Sequence, residues 1–137
     1  MHYYLRRGAL VICVSVLEGQ DGTAESWSSE GEKSDFLADF ADWHKDLKVL
    51  IRASERCFRW GLFDRDPMPR RGRDRISPLG DACHPSLPFM AQGAVMSLED
   101  AYSLTHCLQE NGDPASALRR YEDLRRERTT IVQRMAR

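Results

Sequence analysis

Residues 76–100 read ISPLGDACHPSLPFMAQGAVMSLED, and those residue types in that order could hold a polar ligand. A glycine at a strand end lets a backbone approach a ligand closely, and an aspartate just after it accepts hydrogen bonds from ligand hydroxyls. Gly80 and Asp81 stand in that relation. Pro85 and Pro88 stiffen the loop that follows. Gln92 and Gly93 then open a helical stretch, whose first N–H groups have no partner inside the helix and favour a partial negative charge. A Gly-Asp pair alone is a common turn. The ordered combination of turn, stiff loop and helix start is far more specific.

That combination carries a resemblance. Gly80-Asp81-Ala82-Cys83-His84-Pro85, then Pro88, then Gln92-Gly93-Ala94, then Glu99-Asp100 resembles the GDAxHP…P…QGA…ED signature of FAD-dependent aromatic-ring monooxygenases of the salicylate hydroxylase type. Residues 60–67, WGLFDRDP, are similar to the strand and turn such enzymes carry just upstream. The opening YYLRRG at residues 3–8 and FADWH at 40–44 are similar to the family's substrate-domain sheet and its following helix.

The resemblance implies a cofactor, FAD, and a set of contacts to it. Asp81, beside Gly80, is expected on the ribityl or pyrophosphate side, while Gly93, Ala94 and Val95 present backbone N–H groups to the flavin ring. The loop from Pro88 to Gln92 is expected between flavin and aromatic substrate, with Phe89 and Met90 against the substrate. His84 is expected to be structural support rather than a base. The family's chemistry uses NAD(P)H and O2 to hydroxylate an aromatic ring, with the cofactor supplying the reactivity and the protein supplying position.

The GxGxxG fingerprint that opens a dinucleotide-binding βαβ unit does not occur in these 137 residues. The chain is therefore expected to be a truncated, C-terminal piece without the N-terminal Rossmann half, inactive by itself. Its alternatives are a non-catalytic interaction module or a degenerate remnant that binds no flavin. A neighbouring chain could also supply the missing half.

The elements that must position these residues suggest an α+β fold. Residues 3–17, with a β-branched run after Gly8, read as a pair of antiparallel strands, and 57–63 as a further strand of that sheet. Residues 75–79 read as a short strand, irregular because Pro78 lacks a ladder donor. Residues 18–33 read as a loop with Trp27 as an aromatic plug. Ser34 is suited to cap a helix bearing Phe36, Leu37 and Phe40, and Leu47, Leu50 and Ile51 predict another before Ala53, with His44 a surface corner residue. The C-terminal half reads as two helices, 91–108 and 115–135, parted by Asn111-Gly112 and restarted by Asp113-Pro114. Leu118, Tyr121, Leu124 and Ile131 form the expected apolar stripe of the last helix. The resemblance divides this into residues 1–67, part of a substrate domain, and 68–137, the C-terminal part of an FAD-binding domain.

Composition limits the remaining possibilities. With 20 basic and 21 acidic residues, net charge −1, the chain has no global field to attract nucleic acid or an anionic membrane. The arginines do cluster: Arg70, Arg71, Arg73 and Arg75 surround Gly72. Arg119, Arg120, Arg125, Arg126 and Arg128 alternate with Glu122, Asp123 and Glu127, as a solvated helix face would. No apolar run approaches the ~20 residues that span a bilayer. Cys13, Cys57, Cys83 and Cys107 are widely spaced, as reduced thiols of a cytoplasmic protein would be, and Cys83, His84, His106 and Cys107 do not match zinc-ligand spacing. The apolar strands at 3–17 are expected to seek partners.

Overall fold

The computed structural model describes residues 1–18, 26 and 28–137, which form two compact units, Met1–Gly61 and Leu62–Arg137. The secondary structure confirms the α+β expectation, with a two-stranded sheet and helices. The expected aromatic plug, Trp27, lies outside the described residues.

In the first unit, β1 (His2–Leu5) pairs antiparallel with β2 (Leu10–Cys13), in the register His2 to Cys13 and Leu5 to Leu10. Arg6, Arg7 and Gly8 all take positive φ (49°, 57° and 93°) to close the hairpin. Such a conformation is natural for glycine and costs an arginine about 1–2 kcal/mol. Tyr3, Tyr4, Leu5, Leu10 and Val11 are exposed.

Helix α1 (Lys33–Asp39) leads to α2 (Lys45–Ala53). Among the described residues of this unit, Phe40 and Ile51 are the buried apolar ones, and Phe40 meets Phe36 and Trp43 edge-on at 5.3 and 5.2 Å. Ser34 does not cap α1. It lies inside the helix, because Glu32 takes the N-cap position and the chain is helical from Lys33 onward. His44 is exposed and caps α2, its ring accepting from the Asp46 N–H.

Residues 57–63 do not form the expected strand. Their alternation finds a partner at one bridge, Phe58 with Glu30, flanked by hydrogen bonds from Gly31 to Cys57 and from Arg59 to Ser29. A strand persists only where a neighbour continues the ladder.

In the second unit, residues 75–79 likewise form no strand. Ile76 bridges back to Arg73 and the chain then runs irregularly through Pro78. Two long helices dominate, α3 (Gly93–Glu110) and α4 (Pro114–Met135). Their ends follow local chemistry. Asn111 Nδ2 donates to the Cys107 carbonyl, and the Asp113 carboxylate accepts from the Ala115 and Ser116 N–H groups while Pro114 takes the first helical position.

The helices pack through Leu104, Cys107, Ala117 and Tyr121. The expected stripe on α4 is corrected here: Tyr121 is buried, but Leu124 and Ile131 are 47% and 49% exposed. The buried face is instead Ala117, Tyr121, Glu122, Arg125, Thr129, Val132 and Gln133. Arg71, Glu122 and Arg125 are therefore not part of a solvated face or loop. No helix among the described residues is long and apolar enough to cross a membrane. All four cysteines are free thiols.

Candidate functional site

The candidate site begins at a single tight turn, Gly80–Ala82. Gly80 is buried at φ 59°, and its carbonyl accepts from the Cys83 and His84 N–H groups, both at 2.9 Å. The turn points Gly80 inward and leaves Asp81 exposed, with no protein hydrogen bond to its carboxylate among the described residues. An added Cβ on Gly80 would lie 2.9 Å from Ser97 Oγ, so the turn packs closely on the first coils of α3.

From Pro85 the chain crosses to α3 by a second turn, Pro88–Met90, which ends at Ala91 in the left-handed region (φ 53°). Gln133 on α4 holds the near end of this loop, donating from Nε2 to the Pro85 carbonyl at 2.9 Å. Phe89 is 59% exposed, whereas Met90 is half-buried. Pro88 opens the turn and its carbonyl accepts from the Ala91 N–H.

Helix α3 then starts without a side-chain cap and without an acidic residue in its first turn. The Gln92 carbonyl takes the Met96 N–H, but the Gln92 side chain caps nothing, which leaves the amides of Gly93, Ala94 and Val95 uncapped. The structure brings Asp81 to this helix end: Asp81 Oδ1 and Ser86 Oγ lie 3.7 and 3.8 Å from where a Cβ on Gly93 would sit. Ala94 and Val95 are exposed.

Beneath the turn lies a polar network that sequence reasoning did not assign. Asp100 is fully buried and accepts from Gly80 N–H (3.0 Å), His84 Nε2 (2.6 Å) and Arg125 Nε (2.7 Å). The carboxylate accepts, so Nε2 is the ring nitrogen that carries the hydrogen in this pair. His84 is itself fully buried, as structural support requires. Arg125 also donates to Glu99 Oε2 and the Met96 carbonyl, while Arg128 grips Glu99 with two bonds of 2.7 Å. Nearby, Glu122 accepts from the Arg71 and Gly72 amides, and Arg71 donates to Thr129. The Glu99-Asp100 pair belonged to the recognised motif. Its arginine partners on α4 carried no signal beyond their place in a charged run.

Electrostatics follow from this packing. Burial opposes ionisation of Asp100, but the hydrogen bonds from Arg125, Gly80 and His84 outweigh it and hold the carboxyl below its ordinary value. The Arg128 bonds, helped by Arg125, hold Glu99 down at about 2. Burial, with the Asp100 charge, raises the Tyr121 phenol, and burial raises the Cys83 thiol. The Glu99 and Asp100 carboxyls are thus held as anions, and the Tyr121 phenol and Cys83 thiol as neutral groups.

Anchored below and open above, this turn, loop and uncapped helix start lie together on a pair of helices. Comparison with known proteins gives the class of chain to which this arrangement belongs. Over 133 residues, 96% of the chain, it is 43% identical to the 6-hydroxynicotinate 3-monooxygenase of Bordetella bronchiseptica, covering 34% of that protein. It is 41% identical over 117 residues to the 3-amino-4-hydroxybenzoate 2-monooxygenase of Streptomyces cremeus, covering 85% of this chain and 30% of the relative. Among solved structures, a salicylate hydroxylase substrate complex matches 98% of the chain and 35% of its own, with a TM-score of 0.79 and 29% identity. No family model matches. The chain is related in sequence and fold to the aromatic-ring monooxygenases, as its motif implied, and spans about a third of the length of the curated relatives it matches.

Proposed function

We propose that this chain is the part of an FAD-dependent aromatic-ring monooxygenase that holds one side of the flavin cofactor and one wall of the substrate pocket. The observation that carries this reading is Asp81. An exposed carboxylate with no protein partner stands beside Gly93, whose open side has room for a ligand, at the uncapped start of an 18-residue helix. These residues fit the cofactor. Asp81 can accept from a ribityl hydroxyl, with Gly80 shaping its turn. The amides of Gly93, Ala94 and Val95 can donate to electronegative ring atoms, with Gln92 setting the helix start. Pro88, Phe89 and Met90 line the approach to an aromatic substrate.

Bound FAD supplies the redox chemistry, by which NAD(P)H and O2 hydroxylate an aromatic ring in the parent enzyme. The residues of this chain bind, orient and exclude water. The exposed faces of β1 and β2 favour a second role, packing against further polypeptide. A chain that packs but takes no flavin would be an interaction module.

Fluorescence titration of FAD separates the two. A carboxylate bonded to a ligand hydroxyl contributes roughly 1.5–3 kcal/mol, so Asp81→Ala is expected to weaken FAD binding about ten- to a hundredfold. Affinity unchanged by Asp81→Ala would show that Gly80-Asp81 is a turn and nothing more.

A further inference from the structure

Three donors from two different parts of the second unit converge on the Asp100 carboxylate. Gly80 N–H and His84 Nε2 come from the two ends of the segment that carries Asp81, and both reach Oδ2. Arg125 Nε comes from α4 and takes Oδ1. One side chain therefore ties both ends of a five-residue stretch to the helix pair.

That tie sets direction as well as contact. The Gly80 amide must face Asp100 for the next residue to face solvent, and Gly80 reaches that orientation in the left-handed region. Arg125 is in turn immobilised by Glu99 Oε2 at 2.7 Å and the Met96 carbonyl at 3.3 Å. Its planar fork keeps Oδ1 occupied, so Oδ2 is left for the turn. The Asp100 carboxylate has donors on both oxygens, although His84 Nδ1 behind it is buried without a hydrogen-bond partner, and a buried charged pair of this kind adds less to stability than to the choice of one conformation.

We propose that Asp100, clamped by Arg125, is a positioning residue for the cofactor site: it fixes the direction in which Asp81 is presented and so sets FAD affinity without touching the cofactor. The inference rests on the reading of Asp81 as a flavin contact. Asp100→Asn is the sharpest perturbation, since it keeps the volume but turns an NH2 group on one side. That group must oppose either the Arg125 donor or the Gly80 and His84 donors, and one side of the tie is lost either way.

The experiment uses the full 137-residue chain as wild type, Asp100→Asn, Arg125→Lys and Asp81→Ala. Solvent exchange of the Gly80 amide is read by NMR, thermal melting by circular dichroism, and FAD binding by fluorescence quenching. Asp100→Asn is expected to speed Gly80 exchange and weaken FAD binding, each by about tenfold or more. Asp81→Ala is expected to weaken FAD binding while leaving Gly80 exchange unchanged, a separation that general loosening of the fold would not give. Arg125→Lys, which keeps the charge but loses the fork, should change the same two quantities in the same direction by less, and carries the test if Asp100→Asn does not fold. FAD binding that responds to Asp81→Ala but not to Asp100→Asn or Arg125→Lys would overturn the positioning role alone. FAD affinity unchanged by Asp81→Ala would overturn the cofactor reading itself.

Discussion

Gly80→Ala should be among the most damaging single-methyl additions to the second unit. Two penalties can be worked from its surroundings. The residue sits at φ 59°, where any side chain but glycine's costs about 1–2 kcal/mol. The new Cβ would meet Ser97 Oγ at 2.9 Å, and that hydroxyl is itself committed to the Gly93 carbonyl at 3.1 Å. Moving it aside forfeits a hydrogen bond of about 1 kcal/mol. The sum, about 2–3 kcal/mol, corresponds to a melting point roughly 10–20 °C lower for a unit of this size. Ser97→Ala in the same chain removes the clashing oxygen and leaves a Cβ at an ordinary 3.5 Å, so the double variant should lose less than the two single losses added together. Thermal and urea melts followed by the helical signal check both. A Gly80→Ala melt within about 0.5 kcal/mol of wild type would refute the close packing of the turn on α3, and strict additivity with Ser97→Ala would refute the clash.

Three further outcomes are expected. Gly93→Ala places its Cβ no nearer than 3.7 Å to any neighbour outside its own helix, so melting should shift by less than about 1 kcal/mol, while FAD titration should show binding weakened about tenfold or more as the close approach is filled. Arg125→Met leaves the Asp100 carboxylate buried without its cation and should cost about 3–5 kcal/mol in a urea melt. Glu99 and Asp100 both ionise more readily folded than unfolded, and for Glu99 the stabilisation is present above its ordinary value of 4.5 and is lost as pH falls through about 2. Acid melts of Glu99→Gln should show a shallower decline over that window than wild type.

The ends of α3 and α4 were legible because they follow from chemistry local to a few residues: Gly93 at the start, Asn111-Gly112 at the stop, Asp113-Pro114 at the restart. The inward face of α4 was not. Apolar residues at helical spacing pointed to Leu124 and Ile131, yet Arg125, Thr129 and Gln133 turn inward because the turn and loop above them need donors and acceptors. Periodicity detects apolar faces and is blind to a polar one. Residues 57–63 show the converse, an alternation typical of a strand without the neighbouring ladder that makes one. Within the site, Gly80, Asp81 and Gly93 could be singled out by residue type. The pairing of Asp100 with His84 and Arg125, 16 and 25 residues distant, appears only once the chain is folded.

The shape of the loop from Gly80 to Gln92 is set almost wholly by groups that face away from its open side. Gly80 and Ala91 take left-handed backbone at its two ends, Asp100 holds Gly80 and His84, and Gln133 holds the Pro85 carbonyl. The residues on the open side, Asp81, Phe89 and Ala94, contribute nothing to those restraints. Solvent-facing and shape-setting positions are therefore separate sets of residues on one short segment. Substitution at Phe89 or Ala94 is expected to change the exposed surface while the loop keeps its course. Substitution at Asp100, Arg125 or Gln133 moves the loop first, and any ligand it holds is affected only through that movement.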